Sequence, residues 1–97
     1  MIMNTELIII REYCTQSRIE PDFIVQLENE GLIEITVIDN ESYINASQLR
    51  DLEQYARWHY DLSINIEGID VIRNLLEKMD EMKDEIFKLK EKLRLID

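Results

Sequence analysis

The stretch Asp70–Asp97, DVIRNLLEKMDEMKDEIFKLKEKLRLID, decides the fold. Within it Ile72, Leu75, Met79, Met82, Ile86, Leu89, Leu93 and Ile96 recur at alternating steps of three and four residues, so all eight a and d positions of a heptad repeat are apolar. At ~1.5 Å per residue the seam makes a rod of about 37 Å, longer than the roughly 65 residues before it can cover. A single amphipathic helix packed wholly on its own domain runs against that length. Each seam side chain that is buried contributes at most about 1.5–3 kcal/mol, so a partner helix is expected along the seam, and the eight residues form the expected homodimer interface. The direction of pairing stays open. A parallel pair sets Glu85 against Lys90 but Lys78 against Lys83, whereas an antiparallel pair brings several lysines together.

The formal charge of −10, from 21 acidic against 11 basic residues, opposes nucleic acid and anionic membrane and favours a basic partner. Cys14 is the only cysteine, which excludes an intramolecular disulfide and a cysteine-cluster metal site. The apolar run Leu7–Ile10 is too short for a signal or a membrane span, and a cytoplasmic protein is expected.

Leu7–Ile10 reads either as a strand or as the lead into a helix at Arg11. In the helical reading Ile10, Tyr13 and Cys14 share a face, making Cys14 a packing residue. In IEPDFIVQLENEGLI, Pro21 opens a helix, Asp22 sits at its positive end and Gly31 stops it. Phe23, Ile24 and Leu27 then face inward, and Asp22, Val25, Gln26 and Asn29 face solvent. Ile33, Ile35 and Val37 alternate with polar residues before the break at Asp39–Glu41, and Ser42–Ile44 return as a hairpin. Asn45 with Gln48 resembles a capping box that opens a third helix reaching Leu62, with a Tyr55, Trp58 and Leu62 stripe along it. Asn65 caps the long helix, and Gly68 in its first turn permits a close approach. The expected core is Tyr13, Cys14, Ile19, Phe23, Ile24, Leu27, Leu32, Leu49, Leu52 and Ala56.

These elements describe a mainly α fold: a winged helix-turn-helix with a small β-hairpin wing over residues 1–64 and a long C-terminal coiled-coil helix over 65–97, forming one structural unit. Three segments, EYC at Glu12–Cys14, ENEGLI at Glu28–Ile33 and HYDLSINIEGIDVIRNLL at His59–Leu76, resemble the MerR-like winged-helix family and, within it, the chaperone-modulator proteins of the CbpM type. The resemblance covers about the first 80 residues and departs from the family at Arg18 and Ser63, where glycine is usual. It implies binding to the J-domain of a DnaJ-like or CbpA-like co-chaperone and suppression of that co-chaperone's activity toward its DnaK-type chaperone.

DNA binding requires phosphate neutralisation. From Ile19 through Leu49 there is no Lys or Arg, and residues 1–47 carry nine acidic against two basic side chains, a net of −7. Gln26 alone, without phosphate anchors, does not make a DNA reader. No enzyme and no cofactor is expected: His59 is the only histidine, the only glycines are Gly31 and Gly68, and the acids Asp80, Glu81, Asp84 and Glu85 lack the loop of a calcium site. The expected partner surface is acidic and aromatic: Asp51, Tyr55, Trp58 and Asp61 on the third helix, with Asp22 and Val25 on the second helix as the alternative. Two rival functions are a MerR-like dimeric transcription regulator and a coiled-coil assembly protein.

Overall fold

The computed structural model of the chain describes residues 6–96; Met1–Thr5, Asp97 and the side chain of Ile96, the last seam position, lie outside the described set. Both readings of the first apolar run hold in part, since β1 is Leu7–Ile9 and α1, Ile10–Ser17, starts at the next residue. Helix α1 ends on Arg18 in the left-handed region (φ 59°), with the Ile19 N–H donating to the Cys14 carbonyl at 3.2 Å. Helix α2, Pro21–Asn29, begins on proline, whose missing N–H costs nothing there. It stops at Gly31 (φ 76°), where Leu32 N–H donates to Leu27 O and Gly31 N–H to Glu28 O, each at 2.9 Å. These are the paired bonds of a Schellman stop.

Strands β2 (Ile35–Ile38) and β3 (Glu41–Asn45) form the wing hairpin. Its two-residue turn needs positive φ at both centres, which Asp39 (49°) and Asn40 (65°) supply. The wing is larger than the expected hairpin: β1 pairs antiparallel with the other edge of β3, giving a three-stranded sheet in the order β1-β3-β2. Ile8 and Ile35 both lie opposite Ile44, and this row of isoleucines points into the core. Asn45 accepts the Ser47 N–H at 2.9 Å and opens a one-turn 3-10 segment, Ala46–Gln48, that runs into α3, Leu49–Ala56. Gln48 does not close a capping box on Asn45. Its side chain instead accepts from Glu34 N–H at 2.8 Å and donates to Glu34 O at 2.9 Å, pinning the chain where it enters β2.

After Ala56 the chain widens into a π-type turn at Arg57–Asp61, so the third helix does not continue in α phase to Leu62 as expected. Leu62 faces solvent, and the ring of His59 stacks on Phe23 at 4.5 Å while Tyr60 meets Phe23 edge-on at 5.4 Å. The Tyr60 hydroxyl accepts the Glu20 N–H at 3.0 Å, tying the turn to the start of α2. Ser63 (φ 58°) reverses the chain, and Asn65 Oδ1 accepts the Gly68 N–H at 2.8 Å to cap α4, Ile66–Ile96. A Cβ on Gly68 would lie 2.8 Å from Ile64 Cγ2 and 3.0 Å from that same Asn65 oxygen, so the tightness of this reversal requires glycine.

Cys14, Ile19, Phe23, Ile24, Leu27, Leu32, Leu52 and Ala56 are buried as expected, with Tyr13 and Leu49 half-buried against them. Burial pushes the Cys14 thiol pKa up, which keeps it protonated and inert near neutral pH. Ile10, Ile33, Ile44, Tyr55, Ile66 and Ile69 complete the core. The first turns of α4 therefore belong to the head, and Ile69 is fully buried. Beyond them the seam is bare: Ile72 is half-buried, but Leu75 is 55% exposed and Leu93 62%.

Ser63 occupies a backbone region that costs a residue with a Cβ about 1–2 kcal/mol, and glycine's greater freedom in the unfolded chain returns about 0.4–1 kcal/mol of any gain. Ser63→Gly is accordingly expected to stabilise by about 0.5–1 kcal/mol and to raise Tm by about 2–8 °C, whereas Ser63→Val lowers it. A lower Tm for the glycine variant would show that the serine makes a contact worth more than the strain.

Candidate protein-binding groove

Helix α3 crosses the foot of α4, and the space between them is a groove of about 250 Å³. Asp51, Gln54, Tyr55 and Trp58 line one wall; Arg73, Leu76, Glu77 and Asp80 line the other. The α4 residues follow i, i+3, i+4, i+7 spacing, which puts them in one stripe beside the seam. Arg73 closes the inner end. Its Nη1 donates to the Leu32 carbonyl at 3.2 Å and its Nε to Glu77 at 3.1 Å, bracing the long helix against the loop that follows α2.

The groove gathers three of the six expected partner-binding residues: Asp51, Tyr55 and Trp58. Tyr55 does not present its ring to a partner, because it is only 2% exposed and belongs to the core. Burial pushes the Tyr55 phenol pKa up, and nearby Arg73 pulls it the other way. The aromatic surface that remains is Trp58, half-buried and tilted against Tyr55 with ring centroids 6.1 Å apart. Asp61 lies elsewhere, in a cleft with Arg18 and Arg57 beyond the π turn. Asp22 and Val25 sit on the outer face of α2 and line neither space.

Reading the third helix alone misses Leu76, Glu77 and Asp80. The available signal was the stripe they form next to the heptad seam, which only the crossing of α3 turns into a groove wall. Arg73 is paired with Glu77, whereas Asp51 and Asp80 take part in no ion pair among the described residues. The groove is therefore net negative, with Trp58 and Leu76 as apolar members of its two walls, a surface suited to a basic amphipathic segment. His59 has no comparable setting. Its Nδ1 lies 2.9 Å from the Ile64 carbonyl and its ring is stacked on Phe23, so it is occupied in packing. No helix among the described residues is long and apolar enough to cross a membrane.

The MerR HTH family of regulatory proteins matches residues 8–91, from β1 through most of the long helix. The chain belongs to this family. No curated protein and no solved structure matches the chain.

In a MerR-type domain read as a DNA binder, the outer face of α2 and the wing would meet the duplex. Here that α2 face presents Asp22, Val25 (47% exposed) and Gln26, and the Gln26 amide already donates to Asp22 at 2.7 Å. The wing offers Glu34, Asp39 and Glu41, and Arg11, which reaches it from α1, is paired with Glu41 at 2.9 Å. No free cation stands on this side to anchor a phosphate among residues 19–49.

The brace at Arg73 is testable. Arg73→Met keeps the aliphatic packing but leaves the part-buried Leu32 carbonyl and the exposed Glu77 without their donor, which is expected to lower stability by about 0.5–1.5 kcal/mol. Arg73→Lys restores charge without the two-armed geometry and is expected to recover less than half of that loss in urea unfolding. Full recovery with lysine would show that charge alone is what the site requires.

Proposed function

We propose that this MerR-type chain is a protein-binding regulator of the CbpM kind, which takes up the J-domain of a DnaJ-like or CbpA-like co-chaperone and restrains its activity. The observation that carries the reading is the contrast between two surfaces. Among the described residues the only cation at the face that would read DNA is Arg11, paired with Glu41, and the α3–α4 groove has two carboxylates, Asp51 and Asp80, in no ion pair beside the apolar Trp58 and Leu76. The resemblance over His59–Leu76 includes Arg73 and Leu76 of the groove and supplies the identity of the partner. A J-domain presents a basic helix to its chaperone, and a groove that covers that helix inhibits by occlusion.

The working form in this proposal is a homodimer joined through Ile72, Leu75, Met79, Met82, Ile86, Leu89, Leu93 and Ile96. The exposed Leu75, Met79, Met82, Ile86, Leu89 and Leu93 support it, since a stripe this long is unfavourable in water without a cover. Family membership itself favours one other reading, a dimeric transcription regulator. That reading requires retarded migration of genomic DNA at physiological salt, where the net of −7 over residues 1–47 predicts none.

Charge and apolar contact separate in kinetics. In surface binding to the isolated J-domain, Asp51→Lys is expected to slow association severalfold at low salt and to flatten its salt dependence. Trp58→Ala and Leu76→Ala speed dissociation; the exposed Leu76 serves where loss of Trp58 lowers the melting temperature. Absence of binding at both salt concentrations removes the chaperone reading. Binding that ignores all three substitutions moves the site away from the groove.

A further inference from the structure

The sheet order β1-β3-β2 leaves β2 at an edge, and the hairpin register decides which of its backbone groups face out. A two-residue turn at Asp39 and Asn40 makes Ile38 and Glu41 a hydrogen-bonded pair, and the alternation of an antiparallel ladder makes Thr36 and Tyr43 the next one. Bonds elsewhere around the sheet agree with that phase. Gln48 occupies the N–H and C=O of Glu34 on the inner side, and Ala46 N–H donates to Glu6 O at 2.8 Å on the β1 side of β3. The N–H and C=O groups of Ile35 and Val37 therefore point away from β3, and no other described segment pairs with them.

Natural edge strands are blunted by lysine, proline or a bulge, and the residues Ile35, Thr36, Val37 and Ile38 include neither lysine nor proline and pair one to one with β3. Val37 is 63% exposed and Ile38 45%, and adjacent strand residues point to opposite faces, so a β-branched side chain stands bare on each face of the edge. Glu34 precedes the strand and Asp39 follows it. Neither takes part in an ion pair among the described residues, and no Lys or Arg occurs from Ile19 through Leu49.

We infer that the open edge of β2 takes an extended segment of a protein partner as a fourth strand. The segment it fits has β-branched residues along about 13 Å of its length and a lysine or arginine at each end. Pairing with the backbone of Ile35 and Val37 supplies the register, and Glu34 and Asp39 select a basic segment over a neutral or acidic one. A second copy of this chain is the wrong occupant. Antiparallel pairing of β2 with itself about Thr36 sets Ile35 opposite Val37 and gathers Glu34 and Asp39 of both copies into one ribbon, four carboxylates with no cation among them. The edge lines no part of the α3–α4 groove, so the inference stands apart from the function proposed above.

The probe is a synthetic peptide, Lys-Val-Thr-Val-Thr-Lys with blocked termini, titrated into the nitrogen-labelled full chain. Hydrogen exchange at the Ile35 and Val37 amides is expected to slow severalfold, less so at high salt, while Thr36 and Ile38, already bonded to β3, exchange as before. Val37→Pro removes an outward N–H without breaking the β2–β3 ladder, so the variant is expected to melt close to wild type and to bind the peptide severalfold more weakly. Where that variant does not fold, a peptide methylated on all its valine and threonine nitrogens puts the same question to the wild-type chain, and it is expected to leave exchange unaltered. Unslowed exchange at Ile35 and Val37 at millimolar concentrations of the lysine peptide overturns the inference. Equal slowing by the methylated peptide, or by one flanked with glutamates, overturns it too. Failure of the J-domain to bind bears only on the groove.

Discussion

The structure depends on the seating of Ile66 and Ile69 in the head. Both are buried in the same core as Phe23, Ile24, Leu27, Ile44 and Leu52, so the foot of the long helix is part of the small domain that it leaves. Everything around that foot serves to hold it: the Asn65 cap, the glycine at position 68 that allows the reversal to close, and the Arg73 guanidinium bonded to the Leu32 carbonyl. Cover by the head stops early in α4: Ile66 and Ile69 are buried, Ile72 is half-buried and Leu75 is exposed. The remaining seam is left exposed, and residues of α3, the turn after it and the foot of α4 line the groove together.

Most of the fold was legible because its signals are local. Pro21 and Gly31 bracket α2, the alternation from Ile33 to Val37 marks β2, and the heptad steps mark α4. What escaped the sequence depends on contacts between distant segments. β1 is three apolar residues with no period to decide between the strand and helix readings of Leu7–Ile10, and what the sequence left out is its pairing with the free edge of β3. Gln48 looks like a capping residue by spacing, yet the nearby backbone of Glu34 offers it both a donor and an acceptor. The π-type turn at Arg57–Asp61 has no glycine or proline to announce it, and packing of His59 and Tyr60 against Phe23 is the evident compensation for the extra residue. At Arg18 and Ser63 the missing glycines do not alter the turns: both residues adopt positive φ.

The candidate site was legible on one wall only. Asp51 and Trp58 could be read from the third helix, but Tyr55 on the same stripe turns inward, since a phase inferred from spacing alone cannot say where the core begins. The opposite wall of Leu76, Glu77 and Asp80 is invisible until α3 and α4 are placed together. The disfavoured function was the more legible one. An uninterrupted absence of Lys and Arg from Ile19 through Leu49 leaves that segment without a cationic side chain to anchor a phosphate, and the structure adds that Arg11, which reaches the wing from α1, is paired with Glu41.

Trp58 is the only tryptophan, so its indole N–H is a single, assignable reporter in the groove lining. The most direct test of the account is a two-dimensional nitrogen–proton spectrum of the labelled protein during titration with an unlabelled J-domain. The account predicts that the Trp58 indole resonance and the backbone resonances around Asp51, Leu76 and Asp80 move together to saturation, with the amides of Asp22, Val25 and Gln26 unmoved. Perturbation confined to the α2 face, or none at all, would contradict it.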